Sequence, residues 1–446
     1  MTLSVEHVRD LAKRTVERLG GDVEVLVTSG GQALTRFANG RINQNVAEDD
    51  TTVQIRTVVR GRQGGAGTNR LDDDSIVAAG KAAHDAAANA PADPTFKGLP
   101  GVVPWVACDH SRPSARGFGP TKRAEAVRAL VTPSTERPGL TSAGKVEVVD
   151  TSVAIASSRG VDAYAATTEF AATVLSMGPG GGSGWAEFTG AGTEGFDPAT
   201  LGLTAADLAV RSADAGALAP GEYTVVLGPE AVGEVLGMLA YTGLSAKSFA
   251  EGRSFLSGNL GETIMSESVS IVDDALADDA LGLTFDYEGQ PKRRVEFVKR
   301  GVANAVCTDS YWAAQLGVDD TGHALPGPNA FGPYPLDLRM EPGDATLEEL
   351  IGDVVNGVYV ARFWYVNVDD PVRVEMTGMT RDGTFVIENG KLTRPVRNLR
   401  FTQSAVAALG AVRGISKDRR YVGERGSVSL APAMLLDKFS FTGQTE

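Results

Sequence analysis

Gly221-Glu222-Tyr223-Thr224-Val225-Val226-Leu227-Gly228-Pro229-Glu230-Ala231-Val232-Gly233-Glu234-Val235-Leu236 is the stretch from which the rest of the chain is read. Its first half, Tyr223 to Leu227, is a β-branched apolar run of strand length. Gly228-Pro229 then signals a helix start, because the missing N–H of proline costs nothing at the first helical position. From there Ala231, Val232, Val235, Leu236 and Leu239 recur at three- and four-residue spacing, which gives the helix one apolar face. A strand running straight into a helix is a place where enzymes mount a glutamate among metal-binding histidines. Glu230 is present here and the histidines are not.

Upstream, Ala219-Pro220-Gly221 reads as a domain boundary that divides the chain into 1–219 and 220–446. The first part opens with an amphipathic helix over 4–19. Strands are predicted at Val23–Val27, Ala33–Phe37, Ile42–Val46 and Thr52–Val59, with Asn39-Gly40 as a tight turn. Strands in direct succession pair antiparallel. Gly61 to Asn69 reads as a flexible loop, Asp73 to Asn89 as an alanine-rich helix, and Pro91 to Pro120 as an extended, unpacked excursion. A helix at Thr121–Val131 and strands at Val146–Ser157 and Tyr164–Ser176 follow, then a mobile loop at Gly178–Gly184. A helix from Thr204 to about Ala215, with Thr204 and Asp207 as a capping pair, closes this part.

Downstream, strands are expected at Ser268–Val272, Val295–Val298, Val302–Val306, Gly357–Asn367, Val372–Met379, Gly383–Glu388 and Leu392–Leu399, with a helix near Gln403–Ala411. Short strands alternating with polar turns suggest a sandwich or open barrel of antiparallel strands. The fold class is therefore α+β: an N-terminal antiparallel sheet with flanking helices, then a strand-rich, sandwich- or barrel-like C-terminal domain.

The 446 residues suffice for two domains and a substantial core. Met1 to Lys13 lacks an apolar signal region and no apolar run approaches membrane-spanning length, so a cytoplasmic setting is expected. A net charge of −14 argues against a nucleic-acid partner, which demands phosphate-neutralising Lys and Arg. Cys108 and Cys307 show no metal-ligand or disulfide spacing.

Other chemistry-bearing candidates carry bland readings. Cys108 and His110 could form a thiol and its base, but near neighbours in a loop seldom meet that geometry. His7, His84 and His323 read as surface or turn residues. Asp273-Asp274 and Asp278-Asp279 lack calcium-loop spacing and read as a solvated turn. Gly190-Ala-Gly-Thr-Glu-Gly195 fits a dinucleotide fingerprint in letters only, because it neither follows a clear strand nor opens a helix.

The junction at Gly228–Glu234 resembles the TldD/PmbA family of metallopeptidases (peptidase U62 type). So do Arg36-Phe37-Ala38-Asn39-Gly40, Ser254-Phe255-Leu256-Ser257-Gly258, Phe285 to Gly289 and the closing Pro432 to Gly443. The active branch of that family carries His-Glu-x-x-x-His at this junction and a ligating Cys downstream. Here Pro229 and Glu234 stand at the histidine positions, and Gly410 to Lys417, which matches the Cys segment, holds no cysteine. A catalytic zinc needs three protein ligands and an open position. The resemblance therefore implies the metal-free PmbA/TldE-like branch: no metal ligand, no catalytic residue and no cofactor in this chain, with zinc only in a TldD-like partner. It implies a role in degrading or processing small or unfolded peptides, with Glu230, Ser254 and Phe255 as peptide-cleft candidates. A homodimeric peptide-binding scaffold and an independent hydrolase using Glu230 or Cys108 are the alternatives.

Overall fold

The computed structural model describes residues 2–107, 110–423 and 428–444. Two sheets organise an α+β fold. The elements of the first part are α1 (Val5–Leu19), β1 (Asp22–Ala38), β2 (Arg41–Val59), β3 (Arg62–Thr68), α2 (Asp73–Asn89), the one-turn α3 (Pro113–Arg116), α4 (Pro120–Thr135), β4 (Thr141–Ser157), β5 (Asp162–Met177), β6 (Ser183–Gly190) and α5 (Pro198–Arg211). The sheet runs β3-β2-β1-β4-β5-β6, and every neighbouring pair is antiparallel.

Several glycine-rich stretches behave differently from expectation. The paired short strands before residue 60 are two long ones, β1 of 17 residues and β2 of 19. Gly31 does not break β1 because it is paired on both sides, with Asp49 and Asp150. A Cβ on it would come within 2.6 Å of Thr2 Oγ1, so the residue serves close approach rather than a turn. The expected loop at Gly61–Asn69 contains strand β3, where a Cβ on Gly64 would run into the Ala87 backbone and push α2 off the sheet. The expected mobile loop at Gly178–Gly184 is a tight turn, Pro179–Gly181, leading into β6. Helix α5 starts earlier than expected, and its cap is Asp197, which accepts the Ala199 and Thr200 N–H groups. Thr204 lies inside that helix, so Thr204 and Asp207 do not cap it.

One face of the first sheet packs Val23, Val25, Val53 and Ile55 against Val8 and Leu11 of α1 and Ala79 and Ala83 of α2. The opposite face presents Leu26, Val153 and Ile155 to Phe285 of the second part. The Pro91–Pro120 excursion is extended but partly packed: the Trp105 ring meets Phe285 edge-on at 5.1 Å, and His110 is buried.

The second part comprises β7 (Gly221–Leu227), α6 (Pro229–Gly243), α7 (Ala246–Ala250), β8 (Ile271–Asp273), β9 (Val295–Lys299), β10 (Val302–Ala303), α8 (Ser310–Leu316), β11 (Leu338–Met340), α9 (Leu347–Gly352), β12 (Asn356–Asp370), β13 (Glu375–Glu388), β14 (Lys391–Pro395), β15 (Leu399–Ser404), α10 (Ala405–Gly410), β16 (Val412–Val422) and β17 (Ser429–Gln444). The two strands expected at Val372–Met379 and Gly383–Glu388 are the single strand β13, bent at Asp382 and Gly383, both at positive φ. The sheet is mixed rather than wholly antiparallel: β7 runs parallel to β12, and β11 to β17. The long crossover from β7 through α6 to β12 gives the chain room to return in the same direction. Because β17 also pairs with β7, the ladder β7-β12-β13-β15-β17 closes on itself.

Alternate residues of these strands face two cores. Val225, Leu227, Val358, Val360, Met434 and Leu436 pack with the apolar face of α6, whereas Val226, Tyr359, Ala361 and Leu435 pack with Leu350 and Val354. Among the described residues no helix is long and apolar enough to cross a membrane.

Candidate functional site

Helix α6 has two faces. Ala231, Val232, Val235, Leu236 and Leu239 are fully buried. Glu230, Gly233, Glu234, Gly237, Met238 and Tyr241 follow the helical spacing of the other face and line an open cleft of about 1450 Å³. The far walls are Trp185 and Glu187 of β6, Arg362 to Val366 of β12, and Val422-Gly423 at the end of β16, so the cleft lies between the two sheets. A second concavity of about 1360 Å³ shares Trp185, Glu187, Glu230 and Arg362, and adds Tyr359 and Arg420.

The charges between these concavities are unevenly matched. Glu230 forms a 2.8 Å ion pair with Arg420, and that carboxylate holds the guanidinium more firmly protonated than usual. Arg362 lies between Trp185 and Trp364, 4.3 Å and 4.9 Å from the ring centroids, with its Nε 3.5 Å from Asp382. Glu187 is 9% exposed and accepts a long, 3.3 Å hydrogen bond from the Gly423 N–H. Burial first, and Glu230 second, push its carboxyl up to about 7. Burial pushes the Tyr359 hydroxyl up to about 12. Trp364, Tyr365 and Tyr241 stand exposed on the cleft, Tyr365 at a positive φ of 56° beside an irregularity in the β12–β13 register.

Residues 220–443 match the profile described as PmbA/TldA metallopeptidase C-terminal domain, and residues 23–89 match PmbA/TldA metallopeptidase domain 1. The chain belongs to the TldD/PmbA family. It is similar to a metalloprotease of Methanothermobacter thermautotrophicus, with 30% identity over 51% of this chain and 52% of that protein. It is also similar to a zinc metalloprotease TldD homolog of Saccharolobus solfataricus, with 28% identity over 44% of each. These alignments span about half the length of the relatives or less. In fold it resembles the crystal structure of TldE from Thermococcus kodakarensis, with a TM-score of 0.89 at 16% identity over 99% of this chain and 100% of that one.

A TldD/PmbA-family chain invites a test of its donor set for zinc. Pro229 is buried at the first helical position, while Glu234 is exposed on the cleft face. Among the described residues no histidine or cysteine lines the cleft, and Glu230 is already paired with Arg420. The Gly410–Lys417 segment spans the end of α10 and the start of β16, where Ser416 Oγ donates to the Asp418 carbonyl and accepts the Ala433 N–H. These residues do not fit a three-ligand catalytic zinc.

Two of the cleft candidates require correction. Ser254 is 1% exposed; its hydroxyl donates to the Gly243 carbonyl at 2.5 Å and accepts the Leu256 N–H, tying off the end of α6. Phe255 is packed in the core against Gly243. Neither lines the cleft, and Glu230 does. The site residues missed from sequence are Trp185, Glu187, Arg362, Trp364 and Arg420. Trp185 and Glu187, and Arg362 and Trp364, are spaced two apart on single strands. That period places each pair on one face, but nothing local shows which face meets α6.

The remaining candidates that the structure describes are held in structural contacts. Cys108 lies outside the described residues, and His110 bonds through Nδ1 to the Gly282 carbonyl at 2.6 Å. Cys307 is buried and donates to the Leu244 carbonyl. Asp273 is not in a solvated turn: it is buried in β8, 3.1 Å from His323 Nε2. Burial opposes its charge, yet Lys292 and His323 outweigh burial and hold its carboxyl well below the usual range. Asp286, Glu288 and Asp320 approach one another closely enough to suggest a cation, but Asp286 is occupied by the N–H groups of Glu288, Gln290 and Ala324, and Glu288 by Arg56. The Gly190–Gly195 run does follow a strand, β6, contrary to expectation, but it leads into a turn rather than a helix.

Proposed function

We propose that this chain is a metal-free, TldE-like subunit that pairs with a zinc-bearing TldD-like chain in a cytoplasmic peptidase acting on small or unfolded peptides. The observation that carries this reading is the Glu230–Arg420 ion pair. The glutamate that would take a proton from a metal-bound water is instead neutralised by an arginine, beside a proline with no donor atom. What the chain offers is a wall: an open cleft between two sheets, floored by α6 and edged by exposed aromatic side chains on β12. Such a surface suits holding an extended peptide while a partner cuts it.

The test is native mass analysis of the complex drawn from its own cell, with zinc quantified. A heteromer with a TldD-like chain and zinc matching the partner's copy number is expected. A purified single chain whose peptidase activity tracks bound zinc and disappears on chelation would overturn the reading.

A further inference from the structure

The cleft wall contains a buried carboxylate, Glu187, that no cation contacts in an ion pair among the described residues, although Arg362 and Arg420 lie near it. Glu187 Oε1 accepts only the long Gly423 bond; among the described residues Oε2 accepts none, and the side chain forms no ion pair. The two nearby arginines are committed elsewhere, Arg420 to Glu230 and Arg362 to Asp382 and the two tryptophans. Ionising a buried, unpaired carboxylate is costly, and a cation brought to it removes that cost.

The surroundings suit one kind of cation. Glu230, paired with Arg420, and Glu234 stand on the same cleft. Trp364, Tyr365 and Tyr241 present exposed ring surface, which can cover an alkyl stem or face a cationic head. The space is far larger than a bare metal ion needs and is open to solvent, as a side chain on a longer ligand requires.

We propose that this cleft recognises a protonated amine or guanidinium carried by an extended peptide, with Glu187 as its direct ionic partner and the aromatic side chains covering its stem. The proposal rests on the peptide-processing reading above and adds a substrate class to it: peptides with a lysine or arginine side chain or a free α-ammonium. Binding favours the ionised form of Glu187, so part of a proton is released to solvent near neutral pH.

The experiment is calorimetric titration of the purified full chain with short alanine–serine peptides in four forms: acetylated with one lysine, acetylated with one glutamate, acetylated and neutral, and neutral with a free N-terminus. The lysine or free-ammonium peptide is expected to bind about tenfold more tightly than the acetylated neutral one. Comparing those two arms identifies the source of the cation. Glu187→Gln should erase the preference of the cleft for the cationic peptides over the acetylated neutral one. In the unmodified chain, the cationic peptide's heat of binding at pH 7 should vary with the buffer's ionisation enthalpy, a readout that does not depend on how the variant folds. Equal binding of all four peptides, or a preference retained in Glu187→Gln, overturns charge recognition while leaving the subunit reading to its own zinc and mass test. Failure to bind any peptide overturns this proposal and removes the cleft from the subunit reading.

Discussion

Burial and Glu230 raise the Glu187 carboxyl from the ordinary 4.5 to about 7. Between those values the folded chain keeps a proton that the unfolded chain has lost. The stability this provides is fully present below the unfolded value and is lost as pH rises through the folded one. The groups facing Glu187 are Glu230 of α6, Arg362 of β12, Arg420 of β16 and the Gly423 N–H. The two carboxylates and two arginines set the size of the effect together, at most on the order of 3 kcal/mol between pH 4.5 and 8. In urea titrations at pH 5 and pH 8, Glu187→Gln should lose less stability across the interval than the unmodified chain; an identical loss in both would refute the assignment. At this scale the sequence disclosed Glu230, because a strand, a proline and a helix start announce it locally. It did not disclose Glu187 or Arg420, which come from strands remote in sequence and meet Glu230 only through tertiary packing. Ser254 misled for a physical reason: a distinctive string can be distinctive because it ties off a helix.

At the scale of the element, α6 shows why its glycines matter. A Cβ on Gly233 would run into Val422 of β16, the strand that also carries Arg420. Gly233→Ala should cost about 1–3 kcal/mol through overpacking, read as a lowered denaturation midpoint with an unchanged denaturant slope. Refilling the two histidine positions alone should not build a zinc centre, because Gly410 to Lys417 holds no cysteine to complete three ligands. Pro229→His combined with Glu234→His should therefore fail to retain stoichiometric zinc after dialysis. Stoichiometric retention would show that another donor completes the set. Period and proline placed α6 correctly, and α2 was read to its ends. Strands were legible as runs but not as lengths: Gly31 falls between two expected strands and Gly64 within an expected loop, although each serves a neighbour's close approach. A sequence shows that a side chain is missing, but not what occupies the space.

Across the whole molecule, Arg56 of β2 joins the two parts. Its guanidinium lies 2.8 Å from Glu24 of β1 and 2.9 Å from Glu288 of the second part, with all three side chains almost fully buried. Burial works against the arginine's charge, but the two carboxylates outweigh it and raise its pKa. Arg56→Met would strand two buried carboxylates and should cost about 3–5 kcal/mol at pH 7, falling as pH drops and the carboxyls take up protons. Denaturant unfolding at pH 7 and pH 5 checks both the size and the direction. The division into an antiparallel sheet and a larger strand-rich part was readable from the order of runs. The parallel β7–β12 pair was not, since partners separated by a long crossover leave no local mark.

The closed ring of strands has a consequence for how the chain is made. Its seam is the pairing of β7, the ring's first strand in chain order, with β17, its last. A ribosome releases β7 and α6 long before β17, so the apolar face of α6 waits without part of its core until β17 has emerged. The ring therefore cannot close before β17 is made, and until then its floor helix exposes apolar surface of the kind chaperones bind.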